Sequence, residues 1–279
     1  EKGGDRFRVL SYLTKAQSQC QNNGIVEMAW VDTALQAKLA LATGDLDYAE
    51  RLVAGTLRGI PPDSAPQLVD SIRAFGCWLK LYRNETEAIG QWLAQAPDET
   101  VEFCTLNRYL YMMKIYCYIA LGKHTEALVL LQRMLAYADY AQRTYFQMEC
   151  GVLSAIVLRR KGRPWKQAFL QLLGRIGEYH FVPILSEKGA AVLPLLTEVK
   201  SCFCAETPAQ RDWFAQVLEE TEHMARLYPN YLKGTGIDIS AFSDTALEVL
   251  RLQAAGRSTN EIAQQLHISP RTVKYHASE

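Results

Sequence analysis

The sequence has no excess of charge of either sign, because 30 Lys and Arg residues balance 30 Asp and Glu residues. It also has no apolar run near the roughly 18 residues of a membrane-spanning helix. Its first residues, EKGGDRFRVL, contain no apolar signal-peptide core. The neutral balance excludes a polybasic protein that coats nucleic acid or anionic membranes non-specifically. These absences predict a cytoplasmic protein with no membrane contact.

The chain also lacks the motifs of common catalytic and metal sites. It has no GxxxxGK[ST] phosphate loop, no GxSxG or HExxH sequence and no carboxylate pair at a convincing spacing. Its seven cysteines include no CxxC pair, so we interpret them as reduced, small apolar residues, with Cys202 and Cys204 as a weak redox-sensor alternative. The sequence therefore predicts no enzyme activity, no metal site and no cofactor in this chain.

What the sequence does contain is a repeat. The turn positions of four similar segments, spaced 39, 39 and 40 residues apart, are Gly44, Arg83, Gly122 and Gly162. The alanines five or six residues after these turns are Ala49, Ala88, Ala127 and Ala168. Larger apolar residues follow at steps of four, which keeps them on one face of a helix. Each unit is therefore predicted to be a helix, a tight turn and a second helix.

Such helix pairs cannot bury their apolar faces alone, and they stack on their neighbours into a superhelix. The pattern resembles tetratricopeptide repeats (TPR), although the period exceeds their usual length of about 34 residues. We predict an all-α protein in which residues 1–232 form a TPR-like helical-repeat superhelix. Because Gly4 lies 40 residues before Gly44, we expect the chain to open within a repeat and to be a fragment of a longer protein.

A glycine-containing run, residues 233–241, is predicted to be a linker. Residues 242–279 are then predicted to form three short helices that begin at three serines. Ser243 would cap the first helix, Ser258 would form a capping box with Glu261, and Ser269 would precede a proline at the first helical position. The residues expected in the small core are Leu247, Leu250, Leu252, Ile262 and Leu266, with Ala263 at the helix crossing.

The run GRSTNEIAQQLHISPRTVKYH closely resembles the signature of the LuxR-type helix-turn-helix domain, over Ser243 to His276. The resemblance implies that the third helix enters the major groove of double-stranded DNA. By the same resemblance, Thr272, Lys274 and His276 would face the DNA, and Arg271 and Ser269 would hold phosphates. Val273 would lie at the base of the helix or touch a thymine methyl group.

The segment departs from the family pattern in two places. Thr245 and Ala246 stand where the family has an arginine–glutamate pair, and the dimerisation helix that normally follows would lie beyond Glu279. Its balance of four basic and four acidic residues from Phe242 onward is a modest electrostatic footprint for a DNA-binding domain.

A helical-repeat array followed by a LuxR-type domain resembles the large ATP-binding regulators of the MalT type. This resemblance implies an ATPase domain upstream of Glu1 and an array that senses a small-molecule or protein inducer. It also implies oligomer formation on activation, with RNA polymerase as a further partner. The chain is thus predicted to be a sequence-specific transcriptional regulator.

Two interpretations remain open for the array. Tyr109, Tyr116 and Tyr145 are candidate effector-binding residues, because exposed aromatic rings stack on small ligands; alternatively, they fill the space between helices. The alternative function is a TPR-like scaffold that binds a partner peptide and does not read DNA. Lys274→Ala would distinguish the two, because only a DNA-binding protein would lose affinity for DNA.

Overall fold

The computed structural model describes residues 6–22, 25–60, 65–100, 103–233 and 243–277. Within these ranges the regular structure is helical throughout and contains no strand, which confirms the all-α prediction. No helix in the described ranges is long and apolar enough to cross a bilayer. The predicted linker, apart from Lys233, lies outside the described residues, as does Gly4.

The array is formed by the first twelve α-helices of the described residues. They are α1 (Arg6–Asn22), α2 (Val26–Ala42), α3 (Leu46–Gly59), α4 (Pro66–Arg83), α5 (Thr86–Gln95), α6 (Arg108–Ala120), α7 (His124–Tyr140), α8 (Thr144–Arg160), α9 (Lys166–Glu178), α10 (Pro183–Ser186), α11 (Gly189–Val199) and α12 (Pro208–Leu227). A 3-10 turn, Thr105–Asn107, precedes α6. Helices that follow one another in the chain pack together, as in α2 with α3, α6 with α7 and α11 with α12.

The repeated turns have left-handed backbone conformations. Gly44, Gly122 and Gly162 have φ values of 87°, 70° and 60°, as expected for a glycine that ends a helix. In the second repeat the left-handed residue is Asn84, with φ of 55°, and not Arg83. The predicted turn is therefore one residue too early there, and asparagine is the residue that best tolerates this conformation after glycine.

The predicted small-residue position is correct in two repeats and wrong in two. The position that is buried is the fourth residue of the second helix in each pair. Ala49 and Ala127 occupy it in α3 and α7 and are fully buried. In α5 and α9 it is occupied by Ile89 and Phe169, which are also buried, whereas Ala168 is exposed. Two extra residues before α9 shift the register, and spacing from the turn alone did not reveal this shift.

The last helix of the array returns to the first repeats. The hydroxyl group of Tyr228 donates a hydrogen bond of 2.8 Å to the carbonyl oxygen of Leu41, and His223 Nε2 lies 3.1 Å from the carbonyl oxygen of Ala42. Tyr231, which is buried, stacks on Tyr82 with 4.1 Å between the ring centroids. The residues just before Lys233 are therefore anchored inside the array.

Residues 243–277 form three further helices, α13 (Asp244–Ala254), α14 (Thr259–Gln265) and α15 (Pro270–His276). Their core consists of Val249, Ile262, Ala263 and Val273, with three partly buried residues around it, Leu252, Leu266 and Ile268. The expectation for Leu250 is wrong, because its side chain is 37% exposed and its neighbour Val249 faces inward. The side chain of Leu247 lies outside the described residues.

Candidate DNA-binding face and effector cavity

Serine side chains begin all three helices of the C-terminal domain. Ser243 accepts a hydrogen bond of 3.1 Å from the backbone N–H of Ala246, and Ser269 accepts one of the same length from Thr272. At α14, Ser258 and Glu261 make a reciprocal capping box, in which the Ser258 N–H donates to the Glu261 carboxylate at 2.8 Å. The three predicted caps are confirmed, and they satisfy backbone donors that the short helices cannot satisfy internally.

A tight turn joins α14 to α15. His267 has a φ of 53°, and the N–H of Ile268 donates to the carbonyl oxygen of Ala263 at 3.0 Å. Ala263 is buried, as expected for a small residue at a close helix crossing. Together with Pro270 at the start of α15, this turn fixes the direction in which the third helix leaves the core.

The outer surface of α15 carries two cations and an aromatic ring. Arg271, Lys274 and Tyr275 are all exposed, and their spacing of three and four residues places them on the same side of the helix. Helix α15 itself contains no acidic residue. The other two arginines of the domain, Arg251 and Arg257, lie outside α15 and pair with Glu248 and Glu261. Two of the four Lys and Arg residues of the domain therefore lie on α15.

The other predicted contact residues of α15 are less uniformly placed. Ser269 is exposed, but its Oγ is engaged in the cap and lies 2.7 Å from the hydroxyl oxygen of Thr272. Thr272 and His276 are half-buried. Val273 is fully buried in the core. We therefore correct its assignment as a DNA contact: of the two positions that the resemblance allowed, Val273 occupies the one at the base of the helix.

Tyr275 is a surface residue that the sequence prediction missed. Its side chain is 64% exposed, and its ring packs edge-on against the ring of His276, with 5.4 Å between centroids. The sequence contained the information needed to predict this exposure. Residues two positions apart on a helix face in nearly opposite directions, so a buried Val273 requires Tyr275 to face away from the core. An exposed tyrosine beside two cations adds an apolar and hydrogen-bonding surface to the same side of α15.

A short helix-turn-helix with a basic third helix is an arrangement that DNA-binding proteins use. Residues 240–279 match the family described as GerE, bacterial regulatory proteins, luxR family. The C-terminal segment is therefore a luxR-family helix-turn-helix domain, and it supports the function of a DNA-binding transcription regulator. Neither the curated proteins nor the solved structures gave a match to the chain.

All three candidate tyrosines of the array lie at one cavity. The cavity has a volume of about 350 Å³ and lies between α2, α4, α6 and α8. Its wall includes Tyr109, Tyr116 and Tyr145. Tyr116 is fully buried, Tyr109 is half-buried and Tyr145 is exposed at the rim. The structure thus places the three candidate residues at one cavity, although Tyr116 also fills space between helices.

Two ion pairs border the cavity. Lys38 Nζ lies 3.1 Å and 3.2 Å from the two carboxylate oxygens of Glu187. Behind the wall, the buried Lys188 Nζ lies 3.2 Å from Glu149 Oε1, which also accepts a 2.6 Å hydrogen bond from the hydroxyl group of Tyr116. Burial alone would raise the pKa of Glu149, but the charge of Lys188 and the bond from Tyr116 hold it below its ordinary value. Glu149 is therefore ionised at neutral pH.

The cavity wall is in contact with the anchored end of the array. Trp78 lines the cavity and packs edge-on against Tyr82, with 5.0 Å between ring centroids. Tyr82 in turn stacks on Tyr231 and donates a 3.2 Å hydrogen bond to the carbonyl oxygen of Glu187. One layer of side chains therefore separates the cavity from the segment that leads toward the C-terminal domain.

Proposed function

We propose that this chain is part of a sequence-specific transcriptional regulator that binds DNA through α15 and senses an effector through its helical array. The observation that carries the proposal is the exposed face of α15, where Arg271, Lys274 and Tyr275 stand together on a helix of a luxR-family domain. A helix of this kind reads base edges in the major groove while neighbouring basic groups hold phosphates.

The finer part of the proposal concerns the array. Its TPR-like repeats and its aromatic cavity support a sensor for a small-molecule or protein inducer, in the manner of the MalT type. That type implies an ATPase domain elsewhere in the full protein, oligomer formation on activation and contact with RNA polymerase in the cytoplasm. Tyr231, which is anchored in the array, precedes the first residue described in the C-terminal domain, Ser243, by 12 positions in the chain.

DNA binding is tested by fluorescence anisotropy with random-sequence and genomic duplexes across a salt series. Lys274→Ala is expected to weaken binding and to reduce the slope of log affinity against log salt by about one. Arg271→Ala should lower affinity similarly. Lys123→Ala, which removes an exposed cation from the array, is the matched control and should leave both quantities unchanged.

The opposite result would identify a different class of protein. If the chain binds no duplex even at low salt, or if the α15 and Lys123 variants behave alike, DNA recognition by α15 is wrong. That result would favour the alternative function, in which the array is a scaffold that binds a partner peptide.

A further inference from the structure

The cavity between α2, α4, α6 and α8 has a chemical character that narrows the choice of ligand. We infer that it binds a small uncharged ligand of one or two rings that carries a hydrogen-bonding group. This inference rests on the proposed sensing function of the array, and it follows from four properties of the wall: its apolar surface, its paired charges, its available hydroxyl groups and its volume.

Aromatic and sulfur-containing side chains form most of the cavity surface. The residues of this kind in the wall are Trp30, Phe75, Trp78, Tyr109, Met112, Met113, Tyr116, Tyr145 and Phe146. Burial of an apolar ring against such a surface is favourable, at roughly 25 cal/mol per Å². Trp30 and Phe75 already pack edge-on, with 5.3 Å between centroids, so the wall is preformed for a flat ring.

The charges at the cavity are already balanced. Lys38 pairs with Glu187 and also lies over the ring of Trp78, 5.4 Å from its centroid. Lys188 pairs with Glu149 and lies over the ring of Tyr116, 5.6 Å from its centroid. Each carboxylate therefore has its own ammonium group, and an aromatic face beside each pair is already occupied by that cation.

This balance disfavours a charged ligand. A ligand cation would have to replace Lys38 or Lys188, and a ligand anion would have to replace one of the two carboxylates. In either case one charged side chain of the protein would lose its partner in a partly desolvated site. The free-energy cost of that unpaired charge exceeds the gain from a new ion pair with the ligand. A neutral ligand leaves both pairs intact.

Two phenol groups remain available to orient such a ligand. The hydroxyl group of Tyr116 is engaged with Glu149. Tyr109 and Tyr145 also line the cavity, and among the described residues their hydroxyl groups make no hydrogen bond. Burial raises the pKa of both phenols, so they stay protonated and can donate as well as accept.

The volume of about 350 Å³ sets the size of the ligand. It exceeds the roughly 150 Å³ that holds a benzene molecule and lies at the lower end of the range for ligand sites. One or two rings therefore fit, and a longer ligand would extend past Tyr145 and Lys38 into solvent.

The test is isothermal titration calorimetry of the full chain with ring compounds that differ in charge. Indole and 2-naphthol are the neutral probes, tryptamine is the cation and indole-3-acetate is the anion. We expect the neutral probes to bind at one site and the two charged probes to bind at least tenfold more weakly. Stronger binding of either charged probe than of indole would overturn the inference, and so would the absence of binding by both neutral probes.

Three variants locate the binding site. Ala34→Phe fills the cavity and should abolish binding of the neutral probes. Ala54→Phe places the same ring on the exposed surface of α3 and should leave binding unchanged. Tyr109→Phe combined with Tyr145→Phe removes both hydroxyl groups and should weaken binding by about three- to tenfold, the usual range for lost hydrogen bonds. Binding that is equal in Ala34→Phe and Ala54→Phe would overturn the site.

The same preparations distinguish this inference from the proposed function. Anisotropy with duplex DNA measures α15 alone, whereas calorimetry measures the cavity alone. DNA binding without ring binding would reject the ligand class and leave the regulator in place. Ring binding without DNA binding would support the cavity and reject the proposed DNA recognition.

Discussion

The array and the C-terminal domain are both helical, but they are held together in different ways. The array has one continuous hydrophobic core that runs from Trp30 to Leu232. The core of the C-terminal domain contains Val249, Ile262, Ala263 and Val273 with three partly buried neighbours. A small domain buries a smaller fraction of its surface, so each local interaction contributes a larger share of its stability.

Helix capping follows the same division. Every helix of the C-terminal domain begins with a serine side-chain cap. Among the array helices whose N-cap is described, Asp45 and Thr207 provide such caps, whereas most others begin without one. Extensive burial can stabilise a helix without a cap, whereas a short helix with a small core depends on one.

The largest expected effect comes from the same cavity-creating substitution made in each region. Ile115 in α6 and Ile262 in α14 are both fully buried, and replacement of either by alanine should cost about 2–5 kcal/mol. We expect Ile262→Ala to unfold the C-terminal domain and abolish DNA binding, because the total free energy of unfolding of so small a domain is similar to the cost of this substitution. Ile115→Ala should lower the stability of the array while leaving it folded.

The tryptophan distribution makes this measurement direct. All five tryptophans lie in the array, at positions 30, 78, 92, 165 and 213. Their fluorescence in a urea titration reports the array alone, and amide NMR spectra report the C-terminal domain. If Ile262→Ala shifts the fluorescence transition as much as Ile115→Ala does, the two regions are not independent in stability.

The next largest effect is expected from acid acting on the array. In the array, Glu99 and Glu149 have pKa values below the ordinary range: burial opposes this shift, but hydrogen bonds and nearby lysine charges outweigh it. A lowered carboxyl pKa stabilises the fold above the unfolded value of about 4.3, and this contribution is lost as pH falls through the folded pKa. Asp32, whose pKa burial raises, acts in the opposite direction.

We therefore expect the urea midpoint of the array to fall below about pH 4.3. Tryptophan fluorescence at a series of pH values measures this midpoint. Glu99→Gln should flatten the dependence, because it removes a titrating group that is paired with Lys114 and Tyr118. An unchanged slope in that variant would exclude Glu99 as a source of the effect.

The smallest expected effect comes from the loss of single caps. Ser258→Ala and Asp45→Ala each remove one side-chain cap, at about 1 kcal/mol. The Tm of a small domain should fall by about 4–8 °C and that of the larger array by about 2–4 °C. Calorimetric scans measure both values, and equal shifts would show that size does not determine the response to a lost cap.

Local features of the fold could be predicted from the sequence. The glycine turns, the serine caps and the capping box at Ser258 depend on residues close together in the chain, and each was found where the sequence indicated. The errors at Ala168 and Leu250 are shifts of one helical position. A period fixes the spacing of buried positions, but the exact starting residue of a helix decides which residue occupies them.

The candidate cavity could be predicted only in part. The tyrosines stood out by composition, but Glu149, Lys38 and Glu187 gave no local signal, because they lie far apart in the chain and meet only in the folded array. The hydrogen bond between Tyr228 and Leu41 joins residues 187 positions apart. Contacts of this separation have no periodicity that a single sequence would reveal.

The return of α12 to the first repeats also has a consequence for how the array folds. Repeat proteins generally gain stability from neighbour to neighbour, so they can form from any point and fray from their ends. Here the final helix and the first repeats are joined through Tyr228 and Tyr231. Contacts between distant parts of a chain slow folding, and this one forms only once both ends of the array are present. We therefore expect the array to complete its folding late and to unfold cooperatively. A substitution that destabilises one repeat would then destabilise both ends of the array together.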